Sequence, residues 1–386
     1  MANPLLELKN YGQSIWYDNL NRELLATGKL QQMVDEDGVT GGTSNPSIFE
    51  KAVGSGDYYD AHLSEVVREG VTLDEVFDAL TVTDVAGSCD AFLPIYERTE
   101  GHDGFASLEV SPAIADDTDA TIRDAKRLFA ALDRPNAMIK IPGTEAGLPA
   151  IEECLAAGLN INITLLFGVQ NYEQVAWAFI KALERRAEAG QPVDRIASVA
   201  SFFVSRVDNM VDKQLEERIA AADGDLEKRR LQALLGKAGV ANAKIAYAKF
   251  NEIFSSARWR ALAGKGARVQ RPLWASTSTK NPDYRDVLYV EELIGPDTIN
   301  TLPQNTLDAF RDHGIVAETL TRDVDAAFAH VAELEEIGID FTAVTDQLQV
   351  DGVQAFIESF ESARKTVEEK MSRVLAEKVG AGASGD

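Results

Sequence analysis

Lys140 is the residue from which this chain's chemistry is best read. It stands in AMIKIP (137–142), an otherwise apolar segment, between Ile139 and Ile141 and ahead of PGTEAG. An isolated lysine of this kind is explained by a structural ion pair. Here strand alternation places two carboxylates, Asp18 of SIWYD and Glu109 of GFASLEVS, on the same inward side. Partial burial favours the neutral, nucleophilic form of an amine. The combination is that of Schiff-base chemistry, in which an imine on a ketone acts as electron sink for the adjacent carbon-carbon bond and needs neither metal nor organic cofactor. Asp18 would move the proton of a substrate hydroxyl, Glu109 would drive dehydration through a water, and Thr164 would hold that water. Two plainer readings stay open: Asp18 as cap of a helix starting in NLNRELLATG, and Glu109 as a buried partner of Lys140 and nothing more.

Binding groups follow from the same alternation. Asn45 and Asn162 carry the donor and acceptor pairs that hold a polyol, although Asn45 before Pro46 is also an ordinary turn former. Arg206, in SFFVSRVD just past the sixth strand candidate, suits a bidentate clamp on a small phosphate, or else a salt bridge with Asp208 or Asp212. No GxxxxGK[ST] or GxGxxG occurs, so glycine-loop nucleotide binding is unsupported. Cys89 and Cys154 lack CxxC spacing and read as reduced packing residues, and the four histidines are dispersed, so no metal is expected.

These residues need a frame that brings distant segments together. Eight short apolar or alternating segments are strand candidates: 14–18, 39–45, 104–111, 137–142, 159–166, 195–203, 271–279 and 297–302. Helical patterns separate them, as in βα units around a parallel sheet. Eight such units predict an α/β fold, a single (β/α)8 TIM barrel over 1–378, with a doubly wound open sheet as the alternative. Long connections after the second and sixth strands predict extra helices. Apolar spacing from Val353 to Val374 predicts a long C-terminal helix, with 379–386 as a disordered tail. Alternation turns Leu159, Ile161, Ile163, Ile139, Ile141, Leu108 and Val110 outward toward helices. Ser107, Glu109, Lys140, Asn160, Asn162 and Thr164 then point inward, and the same parity sets Ser201 with Phe203 and Trp274 with Ser276 and Ser278.

The chain has 386 residues, 45% apolar and 26% charged, with a formal net charge of −24. Such a charge repels phosphate backbones and anionic lipid, so neither nucleic acid nor membrane is an expected partner. An anionic substrate must instead meet a few local cations. With no apolar leader and no transmembrane run, the expected location is cytoplasmic.

The blocks TSNPS (43–47), SLEVSP (107–112), IKIPGTEAG (139–147), NITLLF (162–167), SFFVSRVD (201–208) and WASTSTKNP (274–282) resemble those of transaldolases. They span most of the chain in the family's order, in the form of the longer bacterial branch. The resemblance implies a cofactor-free Schiff-base transferase of the pentose phosphate pathway, with Lys140 as imine lysine and Asp18, Glu109 and Thr164 as its acid/base and water-positioning residues. Asn45, Asn162, Ser201, Phe203, Arg206 and Ser276 would surround a sugar phosphate. One departure stands out: where the best-known branch carries a second phosphate-binding arginine, this chain has Ser278, with Lys280 two residues on as the substitute. The expected assembly is a monomer or homodimer. Rival readings are a Schiff-base aldolase on the same fold and a catalytically silent sugar-phosphate-binding barrel.

Overall fold

In the computed structural model, which describes residues 3–383, every strand candidate overlaps a strand. They are β1 (Gln13–Tyr17), β2 (Val39–Thr43), β3 (Ala106–Glu109), β4 (Ala137–Pro142), β5 (Ile161–Leu166), β6 (Ser198–Phe203), β7 (Arg271–Ala275) and β8 (Thr298–Leu302). Each pairs in parallel with its sequence neighbours and β8 closes on β1, giving a (β/α)8 TIM barrel.

Alternation along the strands builds two apolar layers. Ile139, Ile141, Ile161, Ile163 and Phe202 pack outward against the helices, joined by Leu155 and by Tyr172 and Phe179 of the helix Val169–Glu188. Inside, Trp16, Phe105, Met138, Val199, Leu273 and Ile299 form an apolar floor. Trp16 fits there because β2 has no side chain at Gly41, where a Cβ would stand 2.6 Å from the indole ring. The indole Nε1 donates to Asp103 (2.8 Å), whose carboxylate also faces Arg271 at 3.6 Å, so a buried polar network closes the barrel's N-terminal end. All polar chemistry above that floor lies at the C-terminal end, where barrel enzymes place their sites.

Parity fails on one strand. Trp274 belongs to the outer layer, edge-on to Phe202, while its neighbours Leu273 and Ala275 face inward. β7 ends at Ala275 because Ser276 takes a left-handed backbone (φ +55°), so the alternation expected through Ser276 and Ser278 stops there. β2 likewise ends at Thr43, since Asn45 already caps the next helix.

The extra helices fall where expected. Pro46–Gly54, Asp60–Val66 and Leu73–Arg98 lie between β2 and β3; Ser205–Ala221, Asp225–Gln232, Ala238–Ile253 and Ala257–Ala263 lie between β6 and β7. The C-terminal helix runs Phe341–Ala383, beginning a dozen residues ahead of its expected apolar stripe and entering the stretch expected as a tail; residues 384–386 lie outside the described residues. Cys89 and Cys154 are buried free thiols. Among the described residues no helix is long and apolar enough to cross a membrane.

Candidate active site

Strand register sets the centre of the site. Glu109 of β3 is the partner of Lys140 on β4, and Lys140 is the partner of Asn162 on β5. Partners in parallel strands point the same way, so three polar side chains form a row across the barrel interior. Lys140 Nζ donates to Glu109 Oε2 at 3.1 Å, and both side chains are about 95% buried. Asn162 is held on both ends, donating to Ser107 Oγ (3.1 Å) and accepting from Ser201 Oγ (2.7 Å). Asn160, of the same expected set, is structural: it donates to the carbonyls of Pro135 and Ala137 and accepts from the amide of Ala197.

Asp18 follows β1 and is half-buried. Thr43 Oγ1 donates to its Oδ1 at 2.8 Å, and the following helix Arg22–Ala26 is capped by Asn21, not by Asp18. Burial raises the Asp18 carboxyl above its ordinary pKa, opposed by Lys140, by the Thr43 bond and by Arg206. Burial raises Glu109 too, against the pull of Lys140, while Asp18 adds to the rise. Two carboxyl groups biased toward the protonated form beside one amine are equipped to exchange protons with a reacting group.

Two atoms on β3 and β5 have unused hydrogen-bonding capacity in this interior. Glu109 Oε1 and Thr164 Oγ1 are buried without a protein partner. Buried polar atoms are almost always satisfied, by protein or by water. Each therefore has hydrogen-bonding capacity for a water.

Arg206 lies in the first turn of the helix Ser205–Ala221 and has no carboxylate within ion-pair distance among the described residues. Its guanidinium lies 5.3 Å from the Phe203 ring centroid, and Phe203 packs in turn on Phe167. Burial disfavours the Arg206 charge and Asp18 favours it. The alternative salt bridge is ruled out by the partners of the two candidates. Asp208 accepts from Gly239 N and Tyr289 Oη, and Asp212 from Gly236 N and Tyr284 Oη. Ser276 fixes the start of this helix: its carbonyl accepts from Ser205 N (3.0 Å) and its hydroxyl meets Ser205 Oγ (2.9 Å).

Asn45 serves its turn-forming role with one end, its Oδ1 accepting from Ser47 N and Ser47 Oγ. Asn45 and Glu109 line a common small cavity of about 40 Å³ with Phe360. Ser278 is buried and accepts from Asn305 Nδ2 (3.4 Å). Lys280 is exposed on the loop after β7, with no hydrogen bond or ion pair among the described residues. A larger groove of about 870 Å³, lined by Arg230, Lys237 and His330, contains none of these residues.

Thr43, Ser107 and Ser205 were not singled out from sequence as site residues, although parity had already turned Ser107 inward. Thr43 was legible by the same rule, two residues from Gly41 on β2. The contribution of the C-terminal helix had no sequence signal.

A family model described as Transaldolase/Fructose-6-phosphate aldolase matches residues 15–367. The chain is 47% identical over 372 residues to Transaldolase 2 of Nostoc sp., covering 96% of this chain and 98% of that protein. It is 46% identical over 376 residues to the transaldolase of Trichodesmium erythraeum, covering 97% and 99%. Against the transaldolase of Thermobifida fusca the identity is 45% over 373 residues, covering 96% and 99%.

Proposed function

This chain belongs to the transaldolase/fructose-6-phosphate aldolase family, and from that premise we propose how its residues divide the work. The chain is a transaldolase, a transferase of the non-oxidative pentose phosphate pathway. It moves a dihydroxyacetone unit from a ketose phosphate, sedoheptulose 7-phosphate or fructose 6-phosphate, to an aldose phosphate, glyceraldehyde 3-phosphate or erythrose 4-phosphate, through a lysine Schiff base.

The observation that carries the assignment of roles is the buried Lys140–Glu109 contact at 3.1 Å, set by the β3–β4 register. Lys140 Nζ attacks the ketose carbonyl to give a carbinolamine. Loss of water gives the imine, assisted by Glu109 through a water shared with Thr164. Both groups have the free hydrogen-bonding capacity this requires. Asp18, oriented by Thr43, takes the proton of the substrate hydroxyl as the carbon-carbon bond breaks. An aldose phosphate leaves, and the dihydroxyacetone enamine on Lys140 attacks the aldehyde of the acceptor. Hydrolysis then releases the new ketose phosphate.

Asn162 and Ser201, fixed by their mutual bond, offer a rigid polar wall to the sugar, joined by the Asn45 amide and Ser276. Arg206 binds the phosphate above the Phe203 ring, supported by its having no carboxylate partner among the described residues. Lys280 is the second phosphate contact in this reading, as the exposed cation on the loop after β7. All these residues come from one chain, so a monomer or homodimer suffices, and soluble phosphorylated sugars suit a cytoplasmic setting.

Incubation with fructose 6-phosphate and borohydride, followed by peptide mapping, tests the assignment. A dihydroxyacetone-sized adduct on Lys140, with product formation dependent on acceptor, is expected. An adduct on another lysine overturns it.

A further inference from the structure

The C-terminal helix Phe341–Ala383 crosses the mouth of the barrel, in contact with β5 and with the helices that follow β2 and β6. Gln349 Nε2 donates to the carbonyls of Gly143 (3.0 Å) and Leu165 (3.2 Å), at the ends of β4 and β5. Gly352 then brings the helix backbone close, since a Cβ there would stand 3.1 Å from Leu165 Cδ2 and 3.3 Å from Phe167 Cε2. One turn on, Phe356 is 6% exposed, and its ring centroid lies 5.2 Å from Lys140 Nζ. A further turn brings Phe360 to the cavity lined by Glu109 and Asn45. Positions 349, 352, 356 and 360 share one helix face, so a single face of one element roofs the amine and its carboxylate.

A ring over a cation acts in two ways. Its negative face favours the charged nitrogen of an iminium as well as an ammonium, and its apolar body occupies space a water would take. Water matters here because the enamine has two fates. A proton can add to its carbon to give an iminium; water then adds to the iminium carbon and the carbon-nitrogen bond breaks, returning the amine to Lys140 and releasing free dihydroxyacetone. Alternatively, the enamine electron pair forms a carbon-carbon bond with the acceptor aldehyde, whose oxygen takes up a proton. Only the first fate needs protonation at carbon before the acceptor arrives.

We propose that Phe356 is a positioning residue for the transfer reaction: its ring keeps water other than the one held by Glu109 and Thr164 away from the enamine on Lys140, so that the intermediate waits for an aldose phosphate instead of being lost as dihydroxyacetone. The proposal rests on Lys140 being the imine lysine.

The test is the ratio of free dihydroxyacetone to sedoheptulose 7-phosphate during turnover of fructose 6-phosphate with erythrose 4-phosphate. A ratio does not depend on how much of a preparation is folded. Phe356→Leu and Phe356→Met retain apolar packing but lose the ring, and each is expected to raise the ratio about tenfold as water gains access to the enamine. Phe356→Tyr keeps the ring and keeps the wild-type ratio. Val367→Ala loosens the same helix at a buried site away from the lysine and also leaves the ratio unchanged. An unchanged ratio in both ring-deleted variants overturns the proposal, as does an equal rise in Val367→Ala, which would assign the effect to loosening of the helix. Borohydride trapping of the wild type, run in parallel, separates the two levels. An adduct on Lys140 with an unchanged ratio removes only the role of Phe356; no adduct there removes the assignment of Lys140 and the proposal with it.

Discussion

Lys140 Nζ sits 3.1 Å from Glu109 Oε2, while the other oxygen of that carboxylate is buried with no protein partner. The pair is therefore asymmetric: one oxygen holds the amine, and the other is left for something that is not protein. Removing the amine strands a buried carboxylate, an event that costs on the order of 3 kcal/mol or more at a pH where it stays ionised.

Lys140→Met is thus expected to abolish turnover and also to destabilise the fold in a pH-dependent way. Burial already raises the Glu109 pKa, and loss of the cation removes the largest opposing effect. A group whose folded-state pKa is raised contributes stability below its unfolded value, near 4.5, that is lost as pH rises through the folded value. The stability gap between wild type and variant, from urea unfolding, should therefore be wider at pH 8 than at pH 5. An equal gap at both would show that Glu109 is not the group left unpaired.

Arg206→Ala should act on binding. A charge-assisted contact to phosphate contributes roughly 2 to 3 kcal/mol, so KM for fructose 6-phosphate is expected to rise about 30- to 150-fold. The change in kcat should be small, because the phosphate lies away from the bond that breaks. Lys280→Ala, on an exposed side chain, should raise KM by less. Equal effects would mean that Lys280 contacts the phosphate as strongly as Arg206.

Thr164→Val tests the water. Valine keeps the shape and removes the hydroxyl, whose oxygen has no protein partner to lose. A kcat lowered about 100-fold with KM little changed is expected if that hydroxyl holds the water of imine formation and hydrolysis. Unaltered kcat would place the water elsewhere.

Period-two alternation made the barrel and its inward polar row legible in the sequence, because each strand must put apolar residues against the helices and so exposes its polar ones by elimination. Lys140, Glu109 and Asn162 emerge this way, and register then aligns them. The rule broke at Trp274, where Ser276 turns left-handed and ends the alternation. It could say nothing of Phe356, which reaches Lys140 from more than 200 residues away in sequence on an amphipathic helix whose apolar stripe looks like any other. The fate of Arg206 was equally hidden, because spacing offered Asp208 and Asp212 as partners and only the folded chain shows both engaged by tyrosines.

That engagement leads to a last prediction. Asp208 is fully buried in the helix that carries Arg206, and it is held by Gly239 N and Tyr289 Oη at 2.7 Å each, with no ion pair among the described residues. Burial pushes its carboxyl up to about 6, the two hydrogen bonds oppose the rise, and neighbouring Asp212 adds to it. Since the folded-state value lies above the unfolded one, its contribution to stability is complete below about pH 4 and is lost as pH rises through about 6. The loss is on the order of 3 kcal/mol. Asp208→Asn keeps an acceptor for Gly239 and cannot ionise, so its stability relative to wild type should improve between pH 4 and pH 7 and stay level above that. Denaturant unfolding of both proteins across this range reads the difference directly, with the other buried carboxylates cancelling. A difference that does not change with pH would mean that Asp208 is ionised throughout, with its tyrosine and amide donors outweighing burial.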